Sequence, residues 1–189
     1  MATTTFVQDQ LLGVSKMGKK VTEYLQYSPI LLGEQYQNKK EVFTAVYNLA
    51  KQKGWVTKDF GKKILEREEI YPTGIDQGTF GIAIPHTDPE WVKEEFITLL
   101  VPERPVLFQR MDDKEQEVQV DFIFILGLNQ PHEQLAMLQN LMQLIQNTAL
   151  LENLYKQTKR EKLILLLQDY GFLKKEEWNH YKKRMTSKI

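Results

Sequence analysis

The sequence contains no cysteine, which excludes disulfide bonds and thiol chemistry and is typical of a protein from a reducing compartment. An excess of either charge is also missing, because 25 lysines and arginines balance 25 aspartates and glutamates. A chain with zero formal net charge lacks the basic surface typical of nucleic-acid-binding proteins. We therefore predict that the protein has no nucleic-acid partner.

Long hydrophobic runs are absent too. A transmembrane helix needs roughly 20 consecutive apolar residues, whereas the aliphatic run at 163–167 is bounded by charged residues. Residues 1–10 lack the basic segment followed by an apolar one that marks a secretory signal. These features predict a cytoplasmic protein that does not insert into a membrane, and the length of 189 residues suits a single domain.

The hydrophobic pattern predicts helices before, between and after strands. Asn38 is a candidate N-cap for a helix that ends at Gly54, and Thr57 is a candidate cap for a second helix that runs to residues 67–69. Strands are predicted at 81–84, 96–101, 106–108 and 122–126, and further helices at 11–25, 132–146, 150–155 and 159–168. This order predicts an α/β domain with helices on both faces of a small mixed sheet. Its core spans about residues 30–170, between an N-terminal extension at 1–29 and a charged tail at 172–189.

Two of the three histidines lie where a predicted strand gives way to a helix. His86 follows the run 81–84 and Pro85, which cannot donate to a sheet and should end the strand. His132 follows the strand at 122–126 and Pro131. If these strands are neighbours, both histidines lie at one edge of the sheet. His180 lies in the charged tail, and we interpret it as structural.

Two imidazoles at one edge suit metal binding, acid–base chemistry or the handling of a phosphoryl group. A metal site needs a third ligand, for which Asp88 is the nearby candidate, but the spacings typical of zinc enzymes are absent. Phosphoryl transfer fits better, because an unprotonated imidazole nitrogen accepts the group directly and helix N-termini at Pro89 and Pro131 offer N–H groups to its charge. Arg67 is a further cation, although spacing alone favours a surface arginine paired with a neighbouring glutamate.

Three segments resemble a known family. They are Arg67-Glu68, the turn at 72–74 and Gly81-Ile82-Ala83-Ile84-Pro85-His86. In this order they resemble the enzyme IIA domain of the bacterial phosphoenolpyruvate-dependent sugar phosphotransferase system (PTS), fructose/mannitol type. The run 120–128, followed by His132 and a leucine-rich helix, is similar as well, and residues 72–74 and 85–88 look most like the galactitol branch.

The resemblance implies an α/β/α sandwich around a mixed sheet. It implies that His86 is the phosphorylated nucleophile, that His132 orients the ring and stabilises the phosphoryl group, and that Arg67 compensates the phosphate charge. The donor is then the carrier protein HPr, and the acceptor is a cysteine of enzyme IIB, which serves the membrane enzyme IIC. Neither a metal ion nor another cofactor is implied.

Three functions remain open at this point. The first is a phosphocarrier in the uptake of a sugar or sugar alcohol, and the second is a regulatory module whose phosphorylation on His86 controls binding to a protein. A metal-dependent hydrolase that uses His86 and His132 is the third and the least favoured.

Overall fold

The computed structural model describes residues 24, 25 and 27–169. The charged tail at 172–189 with His180, and all but the last two residues of the helix predicted at 11–25, lie outside this part of the chain.

Five strands form a mixed sheet, and two more form a separate hairpin. The seven strands are β1 (Ile30–Leu32), β2 (Gly74–Asp76), β3 (Gly81–Ala83), β4 (Phe96–Val101), β5 (Val106–Gln109), β6 (Glu117–Val120) and β7 (Phe122–Gly127). The sheet order is β1-β4-β7-β3-β2, and β5 pairs with β6. Strands β1 and β4 are parallel, as are β3 and β7, whereas β4–β7 and β2–β3 are antiparallel. The predicted mixed sheet is therefore confirmed.

Helices cover both faces of this sheet. They are α1 (Lys39–Gln52), α2 (Phe60–Ile70), α3 (Pro131–Ile145), α4 (Thr148–Tyr155) and α5 (Arg160–Asp169). Helices α1 and α2 pack on one face together with the β5–β6 hairpin, and α3, α4 and α5 pack on the other. Strand β7 explains this layering, because Phe122, Phe124 and Leu126 point to the second face. Ile123 and Ile125 alternate with them toward the first, so the strand needs a continuous apolar run.

Of the two predicted helix caps, the structure confirms one and contradicts the other. Asn38 caps α1, since its side chain accepts the Glu41 N–H at 3.1 Å, and Gly54 follows α1 with a φ of +75°. Thr57 was predicted to cap α2, and that prediction is wrong, because the N-cap position is Asp59. Thr57 is too far upstream, and its buried hydroxyl has no hydrogen-bond partner among the described residues.

Two further segments differ from the sequence prediction. The turn at 72–74 is one residue shorter than predicted, because residues 74–76 form β2, which pairs antiparallel with β3. The run 118–128 divides at Asp121 into β6 and β7, which belong to different sheets. Local hydrophobicity could not reveal this division, because both strands bury apolar side chains.

Gly81, the first residue of β3, is required because two backbones approach each other closely there. Gly81 donates its N–H to the Asp121 carboxylate at 3.0 Å and accepts the Asp121 N–H at 2.8 Å. A Cβ atom at Gly81 would lie only 1.8 Å from the carbonyl oxygen of Gln119. The β2–β3 pair therefore packs directly on the backbone of the β5–β6 hairpin.

Candidate functional site

The two histidine-bearing segments leave the same edge of the sheet. Strands β3 and β7 are parallel neighbours, so their carboxyl ends coincide. The pairing resumes once beyond Pro85, where His86 forms a bridge with Leu126 and the Leu126 N–H donates to the Pro85 carbonyl at 3.0 Å. Helix α3 begins four residues after β7 ends, with His132 as its second residue. The condition for convergence, that the two strands are neighbours, is met.

The hydrogen bonds of His86 select one tautomer of its ring. Nδ1 lies 3.0 Å from the carbonyl oxygen of Ile84, which can only accept, so Nδ1 carries the proton and donates it. Nε2 lies 3.1 Å from Nη2 of Arg67, which can only donate. The Nε2 lone pair is therefore unprotonated and faces the guanidinium group.

Burial keeps this imidazole neutral. It lowers the pKa of His86 below its ordinary value of 6.5, chiefly by removing the ring from water. The bond to the Ile84 carbonyl acts in the opposite direction, and the Arg67 charge lowers the pKa further. The ring is thus neutral at neutral pH and its Nε2 is unprotonated, as a nucleophilic nitrogen requires.

Arg67 is positioned by three neighbours rather than left on the surface. Its Nη2 donates to His86 and its Nη1 contacts the Asp88 carboxylate at 3.3 Å. Its guanidinium also lies over the ring of Tyr71, with 5.6 Å between Cζ and the ring centroid. The spacing-based interpretation of a surface arginine paired with a neighbouring glutamate is therefore wrong.

Asp88 takes part in this cluster in a way that the sequence did not predict. It was considered as a metal ligand next to the helix start at Pro89, but it pairs with Arg67, and its side chain makes no capping hydrogen bond. The helix expected after it is a three-residue 3-10 turn, Pro89–Trp91, which is too short to supply a strong dipole. Of the two predicted anion-binding helix ends, only that of the 15-residue α3 belongs to a full helix.

The side chain of His132 lies outside what the structure describes. Its contact with His86 consequently stays a prediction that rests on the backbone placement of α3.

Glu68, which stands beside Arg67 in the family pattern without an assigned role, is a further functional candidate. It follows Arg67 in α2, yet it is only 2% exposed. Its two carboxylate oxygens accept the Thr73 N–H at 2.9 Å and the Thr73 hydroxyl at 2.8 Å. Burial raises the pKa of Glu68 to about 7, against the lowering effect of these bonds and of the charge on Lys39. The signal was present in the helical spacing, because Phe60, Ile64 and Glu68 share one buried face.

Exposed apolar side chains lie on, or directly after, the two helices that carry Arg67 and His132. Ile70 and Tyr71, at the end of α2, are 60% and 64% exposed, and Leu135 of α3 is 63% exposed. Exposed apolar side chains of this kind are typical of surfaces that bind protein partners.

Two further observations concern the described residues alone. No three of their carboxylate or imidazole side chains are grouped so as to hold a metal ion. None of their helices is both long and apolar enough to cross a membrane.

Solved structures with this fold define the class of protein. The mannitol enzyme IIA of Escherichia coli, solved in complex with phosphorylated enzyme IIB, matches with a TM-score of 0.59 at 21% identity, over 74% of this chain and 94% of its own. The nitrogen regulatory protein IIA-Ntr from Neisseria meningitidis matches with a TM-score of 0.63 at 26% identity, over 78% and 98%. The architecture is that of a PTS enzyme IIA domain.

Sequence comparison identifies the family. Residues 23–170 match the model for the phosphoenolpyruvate-dependent sugar phosphotransferase system, EIIA 2, and the chain belongs to this family. The galactitol-specific EIIA component of Escherichia coli strain K12 is 33% identical over 122 residues, which are 65% of this chain and 81% of that protein. The chain is accordingly a phosphotransferase component, as the resemblance implied.

Proposed function

We propose that the chain carries a phosphoryl group on Nε2 of His86, from the phosphohistidine of HPr to a cysteine of an enzyme IIB. The observation that carries this proposal is the orientation of the His86 ring. Its Nδ1–H is donated to the Ile84 carbonyl, so the lone pair that can attack phosphorus lies on Nε2, beside Arg67. A cationic donor beside an unprotonated nitrogen is the arrangement that phosphoryl capture needs.

The transfer balances without an added reagent. The Nε2 lone pair attacks phosphorus while the N–P bond of the donor breaks, and the bonding electrons return to the donor imidazole. The His86 ring then carries positive charge, which the Ile84 carbonyl stabilises by accepting the Nδ1–H. In the second step the enzyme IIB thiolate attacks phosphorus, and the electrons of the broken N–P bond restore the neutral ring.

Arg67 compensates the phosphate charge in this scheme. Its guanidinium already lies within hydrogen-bond distance of the attacking nitrogen, so the incoming phosphoryl oxygens arrive beside a fixed cation. Asp88 holds the other terminal nitrogen of the fork at 3.3 Å, which orients the group before the partner binds.

His132 acts as the second histidine of the site, which hydrogen-bonds the phosphoryl group and orients the His86 ring. Its position in the first turn of α3, at the sheet edge that His86 shares, supports this role. The N–H groups of that turn add donors for the phosphoryl charge.

Two similar proteins support the choice of pathway and partner. The galactitol-specific relative suggests that the phosphoryl group serves uptake of galactitol or a similar sugar alcohol through enzymes IIB and IIC. The mannitol relative, solved with phosphorylated enzyme IIB, supports a IIB partner. Since phosphoenolpyruvate and HPr are cytoplasmic in bacteria, we place the protein in the cytoplasm.

The test is incubation with phosphoenolpyruvate, enzyme I and HPr, followed by mass spectrometry. We expect a single acid-labile phosphate that His86→Ala abolishes and that His180→Ala, the matched control, leaves in place. His132→Ala should still be labelled but should pass the group on slowly. Normal labelling of His86→Ala would refute the proposed nucleophile, and normal transfer by His132→Ala would remove His132 from the mechanism.

A regulatory role is the second candidate, and the similarity to the nitrogen regulatory protein favours it. In that case His86 would be labelled, but the group would not move on to enzyme IIB. Adding a galactitol-type enzyme IIB to the labelled protein separates the two, because only a carrier loses its phosphate to the IIB cysteine.

A further inference from the structure

Glu68 occupies a place where a carboxylate is costly. It is buried, and it lies two residues before the last residue of α2, where the negative end of the helix dipole disfavours an anion. An apolar residue would continue the buried stripe of Phe60 and Ile64. The carboxylate is therefore unfavourable by itself, and what it gains is its pair of bonds to Thr73.

Those bonds close the connection between α2 and β2. The connection consists of Tyr71, Pro72 and Thr73, since α2 ends at Ile70 and β2 begins at Gly74. At its start, the Tyr71 N–H donates to the Arg67 carbonyl at 2.7 Å. At its end, both donors of Thr73 are held by Glu68.

Tyr71 lies between these two fixed points. Its ring is largely exposed and contacts the Arg67 guanidinium, which it screens on one side. The Tyr71 ring has little burial of its own, so its position depends on the backbone at both ends of the connection. Release of Thr73 would free the last turn of α2, which carries Arg67.

We propose that Glu68 is a positioning residue for phosphoryl transfer, which acts through Thr73 and Tyr71 to hold the Arg67 guanidinium against Nε2 of His86. This inference rests on the proposed function, because it assigns Glu68 a part in that same transfer. Glu68 itself touches neither the phosphoryl group nor His86.

The test measures transfer from phospho-HPr at pH 8, with the full chain and at a temperature where every variant is folded. Glu68→Ala should lower kcat about tenfold and leave KM for phospho-HPr nearly unchanged, since small misplacements of a catalytic group cost between one and two orders of magnitude. Thr73→Val, which removes only the hydroxyl donor, should lower kcat less. Glu68→Gln should keep the wild-type rate, because the glutamine amide can accept the Thr73 N–H and donate to the Thr73 hydroxyl. Glu69→Ala, on the exposed side of the same helix, is the control.

A double-mutant cycle separates positioning from general loss of stability. If Glu68 acts through Arg67, the pair Arg67→Ala/Glu68→Ala should be no slower than Arg67→Ala alone. If Glu68 has a purely structural role, the reductions in transfer rate caused by the two substitutions should multiply, and that result would overturn the inference. A Glu68→Ala rate equal to the Glu69→Ala rate would overturn it as well. If Glu68→Ala does not fold, Thr73→Val in the Arg67→Ala background decides in the same way. A wild-type chain that is never labelled would overturn the proposed function, whereas a labelled wild type with unaffected variants would overturn this inference alone.

Discussion

Replacing Glu68 by glutamine should change how the stability of the protein depends on pH. The carboxyl has an ordinary pKa of 4.5 in the unfolded chain, and burial raises this pKa to about 7 in the folded protein. Between these values the folded state holds a proton that the unfolded state has lost. The Glu68 contribution to stability is therefore full below about pH 4.5 and is lost as the pH rises through 7.

The size of the effect follows from the two pKa values. One pKa unit corresponds to about 1.4 kcal/mol, so ionisation of buried Glu68 costs the folded state about 3 kcal/mol once the pH is above 8. Glutamine keeps the shape and cannot ionise. Relative to wild type, Glu68→Gln should therefore gain about 2.5 kcal/mol in free energy of unfolding between pH 5 and pH 8, since part of the effect is already present at pH 5.

Urea unfolding at several pH values measures this difference, and tryptophan fluorescence is a suitable probe because Trp55 stacks on buried Phe96 with ring centroids 5.5 Å apart.

His86 acts in the opposite direction, since its lowered pKa gives stability that is present above pH 6.5 and is lost as the pH falls. Its contribution cancels in the comparison of the two proteins. Glu69→Gln should follow the wild-type curve. Parallel curves for wild type and Glu68→Gln would show that the buried carboxyl group does not ionise between pH 5 and pH 8.

Two further predictions concern the segments around the site. Gly81→Ala should lower the free energy of unfolding by about 3 kcal/mol, because the added Cβ meets the Gln119 carbonyl and the two backbones must separate. Gly78→Ala is a poor control because Gly78 has a positive φ, so Ala83→Gly is the better comparison. If Gly81→Ala and wild type are equally stable in urea, the close approach of the two backbones is contradicted. Arg67→Lys should slow phosphoryl transfer about tenfold, since one ammonium group cannot replace a fork that holds both His86 and Asp88. Transfer at the wild-type rate would show that charge alone suffices at this position.

The sequence by itself determined the elements whose signals are local. The Asn38 cap, the apolar face of α1 and the continuous run of β7 depend on neighbours within a few residues, and each was predicted. The family pattern around Arg67 and His86 is local in the same sense. It named the candidate residues of the site before any geometry was known.

Only the tertiary structure decided how those residues meet. Arg67 and His86 are 19 residues apart, and spacing alone assigned the arginine to the surface. Sheet pairing brings them together, because β3 must follow β2 back along the sheet and place His86 beside the end of α2. The pKa of Glu68 and the tautomer of His86 likewise depend on surroundings supplied by the fold, burial for the carboxyl group and the contacts with Ile84 and Arg67 for the ring. Electrostatic state is set by surroundings, so the sequence could name these side chains but could not assign their protonation.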